Sequence, residues 1–586
     1  MELIAGIDLG TTNSEIAYIE NGKPVMVTIE HNPIMPSAVG LAPSGELIVG
    51  SAAKNQMVSH PESTVLSIKR KMGEEITVAL GEKSLNPEEI SSLILRELIK
   101  HAEVSAGQTI SKAVITVPAY FNERQRQATK DAGELAGVDV VRIINEPTAA
   151  AMAYEAGHEN DQIILVYDLG GGTFDASLVV VNKGIVEVKA SHGDTHLGGD
   201  DFDELLIRRF SEDFHDRHGI DPAADPRIHR RLWIAAERAK RQLSDNPYAR
   251  IREEFIYDDL HLDIEINRPD YEEMILPLLH RAQDCVHQCL RDAAVLPAAV
   301  DKIILVGGSS RTPLVHRLLK NDFGKEPRYE IDPDLIVAQG AAIQAATISG
   351  SPAKAILVDI TPYTFGTSAI GNINGDIRAG AFVPVIHRNT PIPTKKSESF
   401  TTVVDGQECV EVEIYQGEQP IAADNDFVGS FRITGLSDVP AGNLVVLTME
   451  LDINGMLRVT AVEKTTGLNK SVVMNTRGRR DRLNIEKARH NLTGLVPEEE
   501  LSEVAEAEYW ESGPHSVPPL DKENQISRAK MLRKRAERLL PELPEEDAAE
   551  IRALLEKLTH AIASTDTKAV TECNESLSDM IFYLED

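Results

Sequence analysis

The chain of 586 residues has few of the features that mark secreted, membrane-embedded or nucleic-acid-binding proteins. Its 4 cysteines are too few and too scattered for a disulfide framework. No apolar run approaches the roughly 20 residues of a membrane-spanning helix, and the N-terminus reads as a strand rather than a targeting leader. Only 60 basic residues stand against 92 acidic ones, and such a surface repels phosphate backbones and anionic lipids. These properties predict an intracellular protein that binds neither nucleic acid nor membranes.

The pattern of strands and helices predicts a multidomain protein of α/β, then β, then α type, because 586 residues exceed what one hydrophobic core supports. Short apolar strands alternate with amphipathic helices up to about residue 350. From Asp359 to about residue 475 the alternation has period two, with frequent turn residues, which is typical of a β-sandwich. Here Asn454-Gly455 predicts a tight hairpin turn built on positive φ angles. The last 65 residues have apolar stripes at helical spacing and predict a small helical hairpin.

One short pattern occurs twice, as LIAGIDLGTTNSEIAY at residues 3–18 and as LVYDLGGGTFDASLVV at residues 165–180. In each copy an apolar strand ends in Asp-Leu-Gly and continues through a turn of small residues into a second strand. A dinucleotide fingerprint would continue into a helix instead. Tips with glycine and threonine present backbone N–H groups and hydroxyls to an anion. Two copies in matching positions therefore predict a duplicated domain that grips one polyphosphate from both sides.

Acidic residues beside these turns indicate a cation site. Asp8 and Asp168 end the two strands, and Asp175 lies seven residues beyond Asp168. A hard divalent cation in such a gap needs oxygen ligands or water-mediated anchors, whereas the alternative interpretation makes each aspartate an ordinary turn residue. A third glycine turn, ILVGGSSRTP at 304–313, leads into a helix and is a candidate nucleoside site. The helix AAERAKRQLS at 235–244 is either a solvated charged face or a nucleotide clamp.

Seven motifs follow one another along the chain: GIDLGTTNS, VPAYFNERQRQATKDAG, INEPTAAAMAYE, VYDLGGGTFDAS, GDTHLGGDDFD, ERAKRQLS and LVGGSSRTP. Together they closely resemble the seventy-kilodalton heat-shock protein family of molecular chaperones, strongly over roughly residues 1–475 and weakly beyond. The resemblance implies an actin-like, ribonuclease-H-type ATPase in two lobes, a linker, a β-sandwich that binds extended peptides, and a helical lid. The implied boundaries are 1–354, 355–361, 362–475, an irregular connector at 476–519 and a lid-like helical part at 520–586.

The resemblance also assigns a role in ATP hydrolysis to single residues. Lys69 matches the catalytic lysine, whose cation would position the attacking water and offset γ-phosphate charge. Asp8 and Asp168 match the residues that hold Mg²⁺ through water. The group that orients water and metal is matched by Glu146, Asp168, Thr173 and Asp175.

Further matches concern nucleotide binding. The phosphate loops are matched by Gly10, Thr11, Thr12, Asn13, Gly170, Gly171, Gly172 and Thr173. The nucleoside pocket is matched by Glu237, Lys240, Ser244, Gly307, Gly308, Ser309, Arg311 and Asp334. The implied cofactors are ATP and Mg²⁺, with K⁺ as a further candidate.

The same resemblance implies how the domains communicate. Pro118 and Arg126 match a switch between the ATP site and the peptide domain, and Asp359 ends an apolar linker, AILVDITP at 355–362. In this scheme ATP binding docks the linker and the β domain onto the ATPase and opens the peptide cleft, and hydrolysis releases them and traps the peptide. The hydrophobic peptide cleft is matched by Ile370, Phe400, Val403, Val410 and Val412. The alternative for these apolar residues is an ordinary place in the sandwich core.

The chain departs from the family pattern in three places. The segment between Gly366 and Asn389 is longer than usual, a loop after KRKMG is missing as in shorter bacterial forms, and the first long lid helix is not recognisable in residues 476–525. We therefore expect a divergent ATP-dependent chaperone of a bacterial cytoplasm, with slow ATP hydrolysis coupled to the binding of extended hydrophobic segments of unfolded proteins. Expected partners are a J-domain co-chaperone and a GrpE-type nucleotide-exchange factor. The alternative from another class is an actin-fold kinase or a filament-forming ATPase, which would have no use for the linker and the sandwich.

Overall fold

The chain divides into two compact units, residues 1–504 and 505–586. The computed structural model describes residues 3–155, 161–182, 184–327, 331–350, 356–373, 376–473, 485–496 and, in the second unit, residues 551, 552, 554, 555 and 557–559. The described residues of the second unit are helical, and Ile551 and Leu558 among them are buried. Most of the predicted connector and of the predicted lid-like part lies outside the described residues. None of the described helices is both long and apolar enough to cross a membrane.

The first α/β lobe consists of a mixed sheet covered by helices. Its strands are β1 (Ile4–Asp8), β2 (Asn13–Glu20), β3 (Lys23–Met26), β4 (Met35–Pro36), β5 (Ala38–Leu41), β6 (Leu47–Val49), β7 (Thr64–Leu66), β8 (Val78–Leu80), β9 (Lys83–Leu85), β10 (Lys112–Val117) and β11 (Asp139–Asn145). Its helices are α1 (Ser51–Gln56), α2 (Pro87–Ala106), α3 (Glu123–Ala136) and α4 (Glu146–Glu155). The main sheet has the order β11-β10-β1-β2-β3, with β4 paired to β2. Within it β1 runs antiparallel to β2 and parallel to β10.

The second lobe repeats this arrangement. Its strands are β12 (Gln162–Leu169), β13 (Phe174–Asn182), β14 (Ile185–Asp194), β15 (Tyr248–Tyr257), β16 (Leu260–Asn267) and β17 (Lys302–Val306). Its helices are α5 (Gly199–His218), α6 (Pro226–Asp245), α7 (Arg268–Asp292) and α8 (Pro313–Phe323), whereas the next helix, α9 (Ile336–Ile348), packs on β1, β2 and β10 of the first lobe. Strand β12 runs antiparallel to β13 and parallel to β17, as β1 does to β2 and β10. The two lobes therefore share the strand–turn–strand device that the repeated sequence pattern predicts.

The next part of the chain forms a β-sandwich preceded by one linker strand. The strands are β18 (Ile356–Ile360), β19 (Phe365–Ile373), β20 (Asp376–Ile386), β21 (Pro391–Ile392), β22 (Thr394–Thr401), β23 (Cys409–Gln416), β24 (Asp426–Thr434), β25 (Leu444–Leu451), β26 (Leu457–Glu463) and β27 (Asn469–Val473). Eight of these strands form the two sheets of the sandwich, β20-β19-β23-β24 and β22-β25-β26-β27. Strands β18 and β21 instead extend the sheet of the second lobe. Alternate residues of both sheets, such as Ile414 and Met449, fill the buried layer between them.

The turn between β25 and β26 differs from the prediction. Leu451 pairs with Leu457, which leaves a five-residue loop instead of a two-residue turn, and only Gly455 within this loop has a positive φ, of 79°. The Asp452 carboxylate accepts hydrogen bonds of 2.8 Å from the backbone amides of Asn454 and Met456 and so organises the loop. The Asn454 side chain is thereby free to accept a hydrogen bond from another part of the molecule.

A short helix after the sandwich, α10 (Ile485–Leu492), packs on the first lobe. Leu492 and Val496 are buried in the hydrophobic core of that lobe. Lys83 donates hydrogen bonds of 2.7 Å to the carbonyls of Asn491 and Thr493. This segment falls within the predicted irregular connector, and its helical turns are stabilised by tertiary contacts rather than by a long apolar periodicity.

Candidate functional site

The two repeated turns meet in the cleft between the lobes. A methyl group on Gly171 would lie 1.8 Å from Thr12 Oγ1, and one on Gly172 would lie 2.6 Å from Thr11 Cγ2. This close approach requires glycine, and it leaves backbone amides of both tips facing a common space. Thr12 Oγ1 is buried and has no hydrogen-bond partner among the described residues. A hydroxyl of this kind fits a phosphate oxygen, which accepts the hydrogen bond that the protein does not satisfy.

A single lysine supplies positive charge beneath these turns. Lys69 lies on a short 3₁₀ helix, Ile68–Lys71, that follows Ser67 in the left-handed conformation with φ 51°. Ser67 is held there by a 2.8 Å hydrogen bond to Asp200 of the opposite lobe. Lys69 is 4% exposed and forms an ion pair with Glu146 at the start of α4. Burial opposes the charged form of Lys69, but the carboxylates of Glu146 and Asp8 outweigh that effect and raise its pKa.

The carboxylates predicted to hold a cation surround this lysine. Asp168 and Asp175 are buried and Asp8 is half-buried, and desolvation is the largest cause of the raised pKa of each carboxyl group. Repulsion by Glu146 adds to the effect at Asp168 and Asp175. Buried like charges of this density are stabilised by a divalent cation. The residues present therefore fit Mg²⁺ bound together with a nucleotide phosphate, and Asp8 and Asp168 are the residues that would hold it.

The predicted nucleoside residues other than Gly307 line one continuous cleft of ≈ 930 Å³. Helix α6 is capped by Asp225, whose carboxylate accepts from the Arg227 amide at 2.7 Å. The predicted residues that line the cleft are Thr12, Asn13, Gly171, Glu237, Lys240, Ser244, Gly308, Ser309, Arg311 and Asp334. Arg311 donates to the Asp334 carboxylate at 2.9 Å, which fixes the rim of the cleft opposite α6. The charged face of α6 thus belongs to the cleft, as the resemblance implies. Helical periodicity alone does not distinguish such a face from a solvated one.

Several residues of the cleft escaped the sequence analysis. Lys54 donates to Glu237 at 2.9 Å from the opposite lobe, and Arg241 donates to the same carboxylate at 2.6 Å. Arg70 joins the lobes through a hydrogen bond of 2.5 Å to Asp201. The partners in each cross-lobe pair are more than 100 positions apart in sequence. No local pattern points to such pairs.

Glu15 is a further acidic residue that the sequence analysis missed. It lies on β2 directly opposite Asp8, and its side chain is 3% exposed. Burial raises its pKa well above the ordinary value, and repulsion by Asp8 and Asp334 raises it further. A sequence signal exists: Glu15 follows Asp8 by seven residues, as Asp175 follows Asp168.

The linker strand connects the nucleotide cleft to the sandwich. Strand β18 extends the sheet of the second lobe by pairing parallel to β14, with Ile185 opposite Ile356. Asp359 at its end is buried and accepts hydrogen bonds of 3.0 and 3.1 Å from the Asn145 amide. Asn145 immediately precedes Glu146, the partner of the buried lysine. The linker is therefore one residue away from the charged groups of the cleft.

The predicted switch residues lie beside this contact. Pro118 immediately follows strand β10, and its carbonyl accepts from the Phe121 amide at 3.1 Å. Arg126 is 7% exposed and donates to the carbonyl of Ala119 at 3.0 Å and to Asn145 Oδ1 at 2.7 Å. The structure thus brings Pro118, Arg126 and Asp359 together around Asn145. Spatial proximity supports a switch at this point but does not by itself demonstrate one.

The sandwich contacts both lobes directly. Tyr363 donates to the carbonyl of Tyr120 at 2.8 Å, and Arg388 forms an ion pair of 2.8 Å with Asp292 of α7. Asn454 of the β25–β26 loop accepts from a backbone amide of β11 at 3.2 Å. The described structure is therefore a docked arrangement of the β domain on the ATPase part.

The five predicted peptide-binding residues occupy different environments. Val412 is 5% exposed and belongs to the sandwich core, the place that the alternative interpretation gives it. Phe400 and Val410 are partly buried against that core. Ile370 and Val403 are 55% and 61% exposed. Ile370 lies at an irregularity in the long β19–β20 hairpin, where the strand register shifts.

Docking of the sandwich buries the carboxyl group of Glu123, and docking is therefore sensitive to pH. Glu123 begins α3, its amide contacts Gln416 of the sandwich at 3.4 Å, and its side chain is 1% exposed. Burial and the charge of Asp452 raise its pKa from 4.5 to about 8, against the Arg126 cation and the Leu457 amide, which lower it. The docked state therefore binds a proton that the undocked state releases at neutral pH.

We expect docking to weaken as pH rises from the ordinary Glu123 pKa of 4.5 to about 8, and to change no further above that value. The loss reaches about tenfold in the docking constant per pH unit. Energy transfer between dyes on the ATPase lobes and the sandwich measures it. Glu123→Gln should remove the dependence between about pH 7 and pH 8, and the exposed Glu82→Gln should retain it. An unchanged dependence in Glu123→Gln would show that another group carries the proton.

The arrangement of the lobes, the cleft and the linker strand defines a class of protein. Two duplicated α/β lobes enclose an anion-binding cleft, and a strand leads from that cleft to a docked β-sandwich. This is the architecture of an actin-like nucleotide-binding protein with an additional β-sandwich domain.

Comparison with known proteins specifies the class. A family model described as Hsp70 protein matches residues 4–79 and 74–584. The chain is 46% identical over 491 residues to the chaperone protein DnaK of Thermotoga neapolitana, and this covers 81% of each chain. The chaperone proteins DnaK of Thermotoga petrophila and Thermotoga maritima match to the same extent. The chain belongs to the Hsp70 family and is an ATP-dependent molecular chaperone. The comparisons give no support to an actin-fold kinase or a filament-forming ATPase.

Proposed function

We propose that this chaperone binds extended hydrophobic segments of unfolded polypeptides and that nucleotide state sets its affinity for them. One observation supports this proposal most strongly. Asn145 binds Asp359 of the linker strand, and the next residue, Glu146, forms the ion pair with Lys69 in the nucleotide cleft. A change in phosphate charge at Lys69 thus acts on a residue adjacent to the linker contact. The docked arrangement corresponds to the ATP-bound, low-affinity state of this scheme.

The proposed hydrolytic residues act by charge and position. Lys69 neutralises charge that develops on the terminal phosphate and, with Glu146, orients the attacking water. Asp168, Thr173 and Asp175 complete the group that orients water and metal. ATP and Mg²⁺ are the proposed cofactors, with K⁺ as a further one, and the metal supplies electrostatic stabilisation of the phosphates when bound. The chain is accordingly proposed to be a slow ATPase, as members of the family are.

The peptide site is proposed at the exposed apolar residues of the sandwich. An extended segment is recognised by backbone hydrogen bonds together with an apolar pocket for alternate side chains. Ile370 and Val403 are exposed, Phe400 and Val410 are partly buried against the sandwich core, and together they are proposed to form this pocket. Val412 contributes through the core beneath it.

The remaining parts of the proposal come from the family resemblance. J-domain co-chaperones and a GrpE-type exchange factor are the proposed partners, and the cytoplasm is the proposed location. The proposed domain boundaries are 1–354 for the ATPase, 355–361 for the linker, 362–475 for the sandwich, 476–519 for the connector and 520–586 for the lid-like part.

Release of a fluorescent, leucine-rich extended peptide on addition of ATP tests this function. We expect tight binding without ATP and rapid release with ATP. Val403→Asp should weaken peptide binding about tenfold or more, because it places a charge on the apolar surface. Val104→Asp, at an exposed valine of α2 in the first lobe, is the matched control and should leave peptide affinity unchanged. Tight ATP binding without any peptide affinity would contradict the proposed substrate.

A further inference from the structure

The two nucleotide-facing hairpins carry acidic residues at equivalent positions. In the second lobe Asp168 of β12 pairs with Asp175 of β13. In the first lobe Asp8 of β1 pairs with Glu15 of β2. Directly paired residues of antiparallel strands point to the same face of the sheet. Each lobe therefore has two carboxylates on one face of its hairpin, and Lys69 lies near a member of each pair, Asp8 and Asp168.

The environment of Glu15 does not resemble that of a structural carboxylate. Its side chain is 3% exposed, and it has no hydrogen bond or ion pair with any described residue. Its electrostatic neighbours are the acidic residues Asp8, Asp334 and Glu146 and a single cation, Lys69. Buried carboxylates normally have hydrogen-bond or charge partners, because desolvation without them is costly. The oxygen atoms of Glu15 are not among the fully enclosed ones that lack a partner, so its hydrogen bonds go to water or to a group that binds in the cleft.

We propose that Glu15 is a positioning residue for the hydrated divalent cation of the bound nucleotide, acting from the first lobe opposite Asp175 of the second. No three described acidic, histidine or cysteine side chains converge closely enough to bind a metal directly. The inferred role is accordingly to accept hydrogen bonds from metal-bound water, and two carboxylates on each side frame the cation. The inference rests on the proposed nucleotide site.

The dependence of nucleotide affinity on Mg²⁺ tests this role. ADP binding to the full chain is measured by calorimetry with Mg²⁺ in excess and with Mg²⁺ chelated, and the ratio of the two affinities is compared between variants. We expect Glu15→Gln to lower this ratio about tenfold, because the loss of a residue that orients metal-bound water typically costs about tenfold or more in metal affinity. Glu15→Asp, which keeps the charge, should retain more of the ratio. Glu20→Gln, at the exposed end of the same strand, should leave it unchanged.

The outcomes separate the inference from the proposed site. If the wild type does not bind ADP, the nucleotide site itself is wrong. If the wild type binds in a Mg²⁺-dependent way and Glu15→Gln keeps the full ratio, Glu15 has no role toward the cation. If Glu15→Gln and Glu15→Asp lower the melting temperature equally and leave the ratio intact, the residue is structural and the inference is overturned.

Discussion

Lys69→Ala is expected to slow ATP hydrolysis by on the order of 10²–10³-fold, the usual cost of removing one preorganised charge or donor from a transition state. Lys69 interacts electrostatically with four carboxylates, the buried Glu146, Asp168 and Asp175 and the half-buried Asp8. Without it, charge that develops on the terminal phosphate meets uncompensated negative charge. Single-turnover hydrolysis of prebound ATP separates this chemical step from product release.

Nucleotide binding should persist in this variant, because the turns and the nucleoside cleft remain. The adjacent Lys71→Ala is the matched control, since Lys71 is exposed and lies on the same 3₁₀ helix. It should hydrolyse ATP at the rate of the wild type. Hydrolysis by Lys69→Ala at that same rate would remove Lys69 from the catalytic group.

Asp359→Ala is expected to abolish most of the ATP-triggered peptide release, with a fall of about tenfold or more in the release rate. The substitution takes away the acceptor of the Asn145 amide and leaves the buried Arg126 and Arg142 side chains without the carboxylate that they face. Leaving one member of a buried charged network unpaired costs about 3–5 kcal/mol, which is enough to undock a domain held by a modest interface. Stopped-flow release of a labelled peptide after ATP addition measures the effect.

Hydrolysis in the absence of peptide should be affected far less than release, because the cleft residues are retained. Asp161→Ala, an exposed aspartate at the start of the second lobe, provides a control for the loss of one negative charge. Peptide release by Asp359→Ala at the wild-type rate would show that the linker contact is not part of the coupling. The pH dependence of docking carried by Glu123 offers an independent measure of the same interface.

The sequence by itself determined the duplicated hairpins, the order of α/β, β and α parts, and the family. These features follow from local patterns: strand–turn–strand repeats, hydrophobic period and ordered motifs. The prediction of the β25–β26 turn was wrong. Asn454-Gly455 favours a tight turn, but the Asp452 side chain organises a longer loop. A side-chain acceptor two residues before the turn overrides the preference of the central pair.

Only the tertiary structure decided which residues meet across the chain. The pairs of Lys54 with Glu237, and of Asn145 with Asp359, join positions 183 and 214 residues apart, so no spacing rule finds them. Burial likewise separates the core residue Val412 from the exposed Val403, although both are valines in a strand-rich segment. Glu15 combines the two cases. Its spacing from Asp8 is visible in the sequence, but its burial and its lack of a partner among the described residues depend on the fold.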